Sequence, residues 1–390
     1  MPTTQRARSL GDILELPDAA EQLRLQRPDV EAQAEAGVAA LFDEPQRLPS
    51  PVLHALAARV ARRQGSGPLF DHHASQALVD PDAAALLGED LPQDDRLRAL
   101  VEHVDLITVS PALVERDDQL VLPHAGITAD DVVLISQVVA LTSYRVRAAH
   151  GFQLLAGREP VVLAGYQRPT VARGRAHRAP DRTTSGRPAP TAFTREVLQW
   201  EPWVPPVPED ELTAVQADSF AAKATRNSVY FRLLARVPGV LRARSALDNA
   251  VFQGEGGLPI GERELAAAVS SKVNDCIYCA SVHARKAVHQ TNRADDVDRL
   301  LAVRLDRDAD WLAQDVERLA DGQDERWSAI VRFAARLSTL VPSATADDLD
   351  ALRAVGLDDR EVADLVHATA FFAWANRLML SLGEPALPDH

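Results

Sequence analysis

The chain contains two cysteines, and both lie in one segment: Glu264-Leu-Ala-Ala-Ala-Val-Ser-Ser-Lys-Val-Asn-Asp-Cys276-Ile-Tyr-Cys279-Ala-Ser-Val-His283. On a helix, about 100° per residue places Cys279 and His283 within about 60° of Cys276, so both thiols and the imidazole share one stripe. Cysteines three apart in a helical turn have Cα atoms about 5–6 Å apart, which is inside the disulfide range. The pair can therefore cycle between dithiol and disulfide. An imidazole near a thiol can take its proton, and a carboxylate can orient that imidazole. Glu264 is the candidate carboxylate, but along one continuous helix it would lie about 18 Å from Cys276. The chain must fold back. The Ala-rich run after Pro259 ends in Val273-Asn274-Asp275, residues poor in helix propensity, which predicts a helix-turn-helix hairpin centred near residue 273 or 274. In that hairpin Glu264 faces His283.

Asn274 or Asp275 is the expected cap of the second helix, aiming its positive end at the thiols. Lys272 and Lys286 are expected to favour thiolate and Asp275 to oppose it. Tyr278 falls off the stripe, and packing is its expected role; His289 is an expected surface residue. Two plainer readings remain for the cysteines: inert burial, or zinc held together with His283 and Glu264, although no second cysteine pair accompanies them. A thioredoxin-type C-x-x-C would follow a strand, whereas an Ala-rich helix precedes this one.

Apolar positions three and four apart recur along the chain, and strand-type alternation is nearly absent, so the chain reads as almost all helix. Helical runs are expected at Pro28 to Phe42, Leu212 to Val237, Asp308 to Ala320 and Arg326 to Leu340. Between residues 158 and 208 the pattern gives way to Pro, Arg, Thr, Gly and Ser, including Arg168, Arg173, Arg175, Arg178, Arg182 and Arg187. This reads as a solvated linker, with Trp200 and Trp203 docking its end onto a domain. The flanks of the linker resemble each other. A shift of 230 places Gly126-Ile127 on Gly356-Leu357, Val132 on Val362, Tyr144 on Trp374 and Arg147 on Arg377. Upstream, a shift of 210 places Leu48-Pro49 on Leu258-Pro259, His54 on Glu264, Ser66 on Cys276, Leu69 on Cys279 and His73 on His283. The expected organisation is an all-α chain with two tandem domains, 1–157 without cysteine and 209–390 with the dithiol, joined by 158–208.

The chain has 390 residues and a formal net charge of −14, a poor match for a general phosphate-backbone binder. Its longest apolar stretches, such as Val132 to Leu141, fall short of the roughly 18 residues a membrane span needs. Met1 to Leu10 carries no apolar core of a secretory signal, so a cytoplasmic location is expected.

Glu264, Cys276-x-x-Cys279 and His283 at this spacing resemble the signature of the alkylhydroperoxidase D and carboxymuconolactone decarboxylase family. The resemblance covers the second half from about Phe193, including Trp200-Glu-Pro-Trp203 and Tyr230-Phe-Arg-Leu-Leu-Ala-Arg236. The first half is more weakly similar to the cysteine-free branch. The resemblance implies an all-helical fold that forms homo-oligomers, and thiol peroxidase activity on small organic hydroperoxides without a cofactor. It implies Cys279 as the peroxidatic thiol, Cys276 as its resolving partner, Glu264 and His283 as a proton relay, and an external dithiol reductant of lipoyl or thioredoxin-like type. Tyr278 departs from the pattern of some peroxidases of the family, which carry His there. Two rival readings are a cysteine-independent decarboxylase or lactone-acting enzyme using His54, His72 and His73, and a non-enzymatic redox-sensing scaffold.

Overall fold

A computed structural model describes residues 8–171 and 174–388. Ten helices of eleven residues or more carry the described architecture: α1 (Pro28–Phe42), α2 (Ser50–Arg63), α3 (Gly67–Ala77), α4 (Asp95–Val109), α5 (Ala129–Leu155), α6 (Pro238–Gln253), α7 (Ile260–Val273), α8 (Ile277–Thr291), α9 (Glu325–Leu337) and α10 (Asp359–Leu382). The sole described sheet is a two-stranded antiparallel ribbon of β1 (Gln199–Pro202) and β2 (Gly383–Ala386). The fold is all-α.

The equivalences read from the sequence recur as local structure. Thr128 forms a capping box with Asp131 at the start of α5, and Asp358 forms one with Glu361 at α10. Gly126 and Gly356 precede these caps at φ 73° and 89°, a conformation that penalises a Cβ. Asp94 accepts the Leu97 amide at 2.9 Å to open α4, as Asp324 accepts the Trp327 amide at 2.8 Å to open α9.

The long helices α5 and α10 pack against each other at the centre, α1 packs on α6, and the hairpins α2–α3 and α7–α8 lie outside them. Polar contacts cross the centre in reciprocal pairs. Tyr144 Oη and His367 Nδ1 lie 3.1 Å apart, while Trp374 Nε1 donates to Gln137 Oε1 at 2.8 Å. Helix α5 is long and apolar enough to cross a membrane, but its apolar window is fully buried within the fold.

Three sequence expectations need correction. From 212 to 237 the chain forms only short turns of helix, Ala214–Ala217, Lys223–Asn227 and Val229–Leu234. Most side chains from 214 to 227 have no buried face, and helix propensity alone does not hold so short a segment. At Asp308 to Ala320, the Asp308 carboxylate accepts the amides of Asp310 and Leu312, and Trp311 and Asp315 adopt positive φ, so only Val316–Ala320 coils, as a 3₁₀ turn. The expected linker is largely exposed, as a solvated segment is, but it is a docked strap and not a free tether. Arg175 pairs with Asp118 at 2.5 Å, Arg187 with Glu201 at 3.0 Å, and Arg168 with Asp308. Trp200 Nε1 donates to the Met379 carbonyl at 3.1 Å and Trp203 Nε1 to Glu384 at 3.0 Å, the docking expected of these rings. Arg173 lies outside the described residues.

Trp374 is the largest fully buried side chain and contacts the opposite half. Trp374→Ala should cost about 3–5 kcal/mol in urea denaturation. A single transition seen by all probes is expected, because the halves share one core; two resolved transitions would show independent halves.

Candidate functional site

Every residue of α7 from Gly261 to Val273 is buried, which explains its Ala-rich sequence: small side chains let neighbours approach from all sides. The reversal falls at Asn274 and Asp275, where the sequence places it. Asp275 adopts φ 63°, at the position equivalent to Gly65 with φ 71°. Its carboxylate accepts from Trp311 Nε1 at 2.7 Å and lies 3.4 Å from His177 of the strap and 3.5 Å from Arg307. Neither Asn274 nor Asp275 caps α8. Cys276 itself is the N-cap residue, as Ser66 is for α3, and Cys279 is the third residue of the helix. The cap expectation fails because α8 begins at Ile277, one residue too late for Asp275, which is left-handed, while the Asn274 side-chain amide donates back to the Ser270 carbonyl at 2.9 Å.

The hairpin brings Glu264 and His283 into direct hydrogen bonding, Oε2 to Nδ1, and both residues are buried. Lys286 lies 3.5 Å from the other Glu264 oxygen. The edge of Phe372, 4.3 Å away between centroids, and Phe252 at 5.7 Å wall the imidazole. This desolvated acid–imidazole pair fixes the ring and leaves Nε2 for exchange.

Both cysteines are free thiols and buried. Burial pushes the Cys279 thiol well above its ordinary value, the adjacent Cys276 adds to the effect, and the Arg244 guanidinium opposes it. The expected cations play other parts: Lys272 Nζ donates to the carbonyls of Leu301 at 2.9 Å and Val303 at 2.6 Å, and Lys286 pairs with Glu264. Among the described residues no hydrogen bond joins His283 to either sulfur. The structure thus unites the acid with the base and places the thiols at the start of the helix that carries the ring. Tyr278 is partly buried against the core, and His289 is exposed.

Arg244 and Tyr230 complete the surroundings of Cys279. Arg244 is 5% exposed, its Nε and Nη1 have no hydrogen-bond partner, and it lies 5.0 Å from the Phe371 ring and 5.7 Å from the Tyr230 ring. The Tyr230 hydroxyl is also buried without a partner. The sequence reading passed over Arg244; Val240, Arg244, Leu247 and Val251 follow one helical face, and an arginine on that otherwise apolar stripe is the signal that could have found it.

Cys276 opens onto a cleft of about 400 Å³ whose walls come from three parts of the chain. Val114 and Glu115 belong to the first half, Arg182, Thr183 and Trp200 to the strap, and Tyr278 and Glu384 to the second half. Among the described residues no group of three or more His, Cys, Asp or Glu side chains has metal-binding geometry.

In the first half, His54 and His73 occupy the positions equivalent to Glu264 and His283 and make the equivalent contact, Nδ1 to Nδ1 at 2.9 Å. His72 lies 4.9 Å from His73 between ring centroids. Burial lowers His54 and His72 to about 4 and pushes His73 down too.

Residues 238–321 match the family described as the carboxymuconolactone decarboxylase family; this span contains α6, α7, α8 and the dithiol. No curated protein matches the chain.

Cys276 should react with iodoacetamide before Cys279 at pH 7, and Cys279 should accelerate only in alkaline buffer, as read by peptide mass spectrometry. Both sulfurs are buried to a similar degree, so equal rates would contradict the raised Cys279 thiol and the place of Cys276 on the cleft. The lowered histidines set a second expectation. Between about pH 6.5 and 5 the unfolded chain binds protons that folded His54 and His72 refuse, so stability present above pH 6.5 is lost on acidification. The melting temperature should fall across that window, and His54→Gln combined with His72→Gln should flatten the slope.

Proposed function

Starting from residues 238–321 as a domain of the carboxymuconolactone decarboxylase family, we propose that the protein is a thiol-dependent peroxidase that reduces small organic hydroperoxides through its Cys276/Cys279 pair. The observation that carries this reading is the buried Glu264–His283 hydrogen bond one helical turn from a free dithiol. A thiol whose pKa burial has raised needs a base at the moment of reaction, and an imidazole anchored through Nδ1 presents Nε2 for that purpose.

In the proposed cycle the Cys279 sulfur attacks the peroxide, forming an S–O bond as the O–O bond breaks. The alkoxide leaves as the alcohol, taking the proton passed through His283, and Cys279 becomes a sulfenic acid. Cys276 then attacks that sulfur, the S–S bond forms, and the hydroxyl leaves as water. An external dithiol of lipoyl or thioredoxin-like type reduces the disulfide and becomes a disulfide itself. Cys276 lines the cleft and is the sulfur such a reductant would attack. Arg244 has the charge to stabilise the thiolate and the sulfenate of Cys279.

Turnover of cumene hydroperoxide with dihydrolipoamide tests the proposal. Cys279→Ser should abolish turnover, and Cys276→Ser should leave a sulfenic acid trappable with dimedone. Glu264→Gln should slow the reaction by about 10²–10⁴-fold. Arg244→Met should slow Cys279 alkylation and shift its pH profile upward, with Arg244→Lys restoring it in part. Activity surviving Cys279→Ser would reject the assignment of the nucleophile; a disulfide formed once and never reduced by the dithiol would instead identify a redox switch.

A further inference from the structure

The half without sulfur holds its own cluster of titratable groups. His54 of α2 and His73 of α3 are joined at 2.9 Å, His72 lies edge-on to His73, and the Phe42 ring stacks on His54 at 4.5 Å. Arg145 of α5 lies near enough for its charge to reach them. It is 2% exposed, and neither Nη1 nor Nη2 has a hydrogen-bond partner.

Arg145 differs from its neighbour Arg147, whose guanidinium donates to the carbonyls of Thr339 at 2.7 Å and Leu340 at 3.3 Å. Among the described residues no acid lies within ion-pair distance of Arg145. Glu35, the acid with the strongest effect on it, accepts the Leu10 amide at 3.0 Å, and Glu31 is paired with Arg24. A buried guanidinium without a counter-charge is costly, and a neutral donor-acceptor group relieves its hydrogen bonding but not its charge. An anion relieves both.

Three histidines suggest a cation site, but the arginine charge beside them opposes a metal ion. Neutral imidazoles, in contrast, add no charge of their own, and with one N–H of His54 or His73 used in the bond between them the cluster still offers two N–H groups. One guanidinium with neutral donors balances one negative charge, and the planar fork of Nη1 and Nη2 matches a carboxylate in bidentate geometry. His54 and His72 are half-buried, so solvent reaches the cluster from their side, while Phe42 supplies an apolar wall.

We propose that the first half binds a small monocarboxylate, held by Arg145 Nη1 and Nη2 and by imidazole N–H groups of the His54, His72 and His73 cluster. The site is separate from the dithiol and does not depend on the peroxidase reading.

The experiment titrates the full chain with acetate and benzoate, with inorganic phosphate in a parallel arm. It follows the histidine imidazole resonances by ¹H–¹⁵N correlation, and the melting temperature. A saturable change confined to His54, His72 and His73 and a rise in melting temperature with carboxylate are expected. Arg145→Met should weaken binding by at least about tenfold. It should melt no lower than the parent without ligand, because the substitution removes an uncompensated buried charge. The Cys276→Ser/Cys279→Ser double variant should bind as the parent does. If Arg145→Met fails to fold, the exposed-side variant His72→Gln decides: weakened binding with unchanged melting supports the site, and unchanged affinity overturns it. No saturable change with either carboxylate, equal affinity in folded Arg145→Met, or tighter binding of phosphate would each overturn the proposal.

Discussion

Two buried arginines hold the halves of this protein in register. Arg147, near the end of α5, donates to the Thr339 and Leu340 carbonyls just beyond α9 of the second half. Arg377, near the end of α10, donates to the Thr108 carbonyl at 3.0 Å in the last turn of α4 of the first half. Both are at most 2% exposed, and burial lowers the pKa of each. The Thr108 carbonyl is one of the orphans of a helix C-terminus and carries partial negative charge, and the Thr339 and Leu340 carbonyls follow the end of α9, so each guanidinium supplies donors to carbonyls of the other half. Loss of either contact would strand a buried charge on one side and unpaired carbonyls on the other. The central packing of α5 on α10 is therefore more than apolar contact, and it fixes where each outer hairpin must lie.

The dithiol inherits its environment from that arrangement. The sulfur-bearing turn belongs to the second half, but the cleft before it is walled by the strap and by residues of the first half. His177 of the strap stacks on Trp311 at 4.1 Å and lies 3.4 Å from Asp275, so the strap holds the turn from outside. Three features accompany the resulting burial. The Cys279 thiol is hard to ionise, the Glu264–His283 hydrogen bond is desolvated, and Arg244, paired at 3.8 Å with Asp248, leaves Nε and Nη1 without a hydrogen-bond partner. These features favour a thiolate produced on demand over one standing ready.

The two hairpins show how one backbone frame accommodates different chemistry. Each has a left-handed residue, Gly65 or Asp275, followed by an N-cap residue, Ser66 or Cys276, and each joins the equivalent pair of side chains across its helices. One pair is imidazole with imidazole and the other is carboxylate with imidazole. The buried arginines come from different elements, Arg145 from α5 and Arg244 from α6. Backbone geometry is shared; charge balance is not.

The sequence by itself determined the helical class, the reversal near residue 274, the facing of Glu264 and His283, and the equivalence of Tyr144 with Trp374 and Arg147 with Arg377. These follow from spacing, and spacing is a local property of the backbone. Tertiary structure decided what spacing does not carry. The arginines between 158 and 208 read as a solvated run because their acidic partners, Asp118 and Asp308 among them, lie far away in the chain. The N-cap position fell to Cys276 because α8 begins at Ile277, and the Asp275 carboxylate is taken instead by Trp311, 36 residues away. The ionisation of Cys279 also lay beyond the local sequence, since burial and Arg244 set it, and both arise only when distant helices meet.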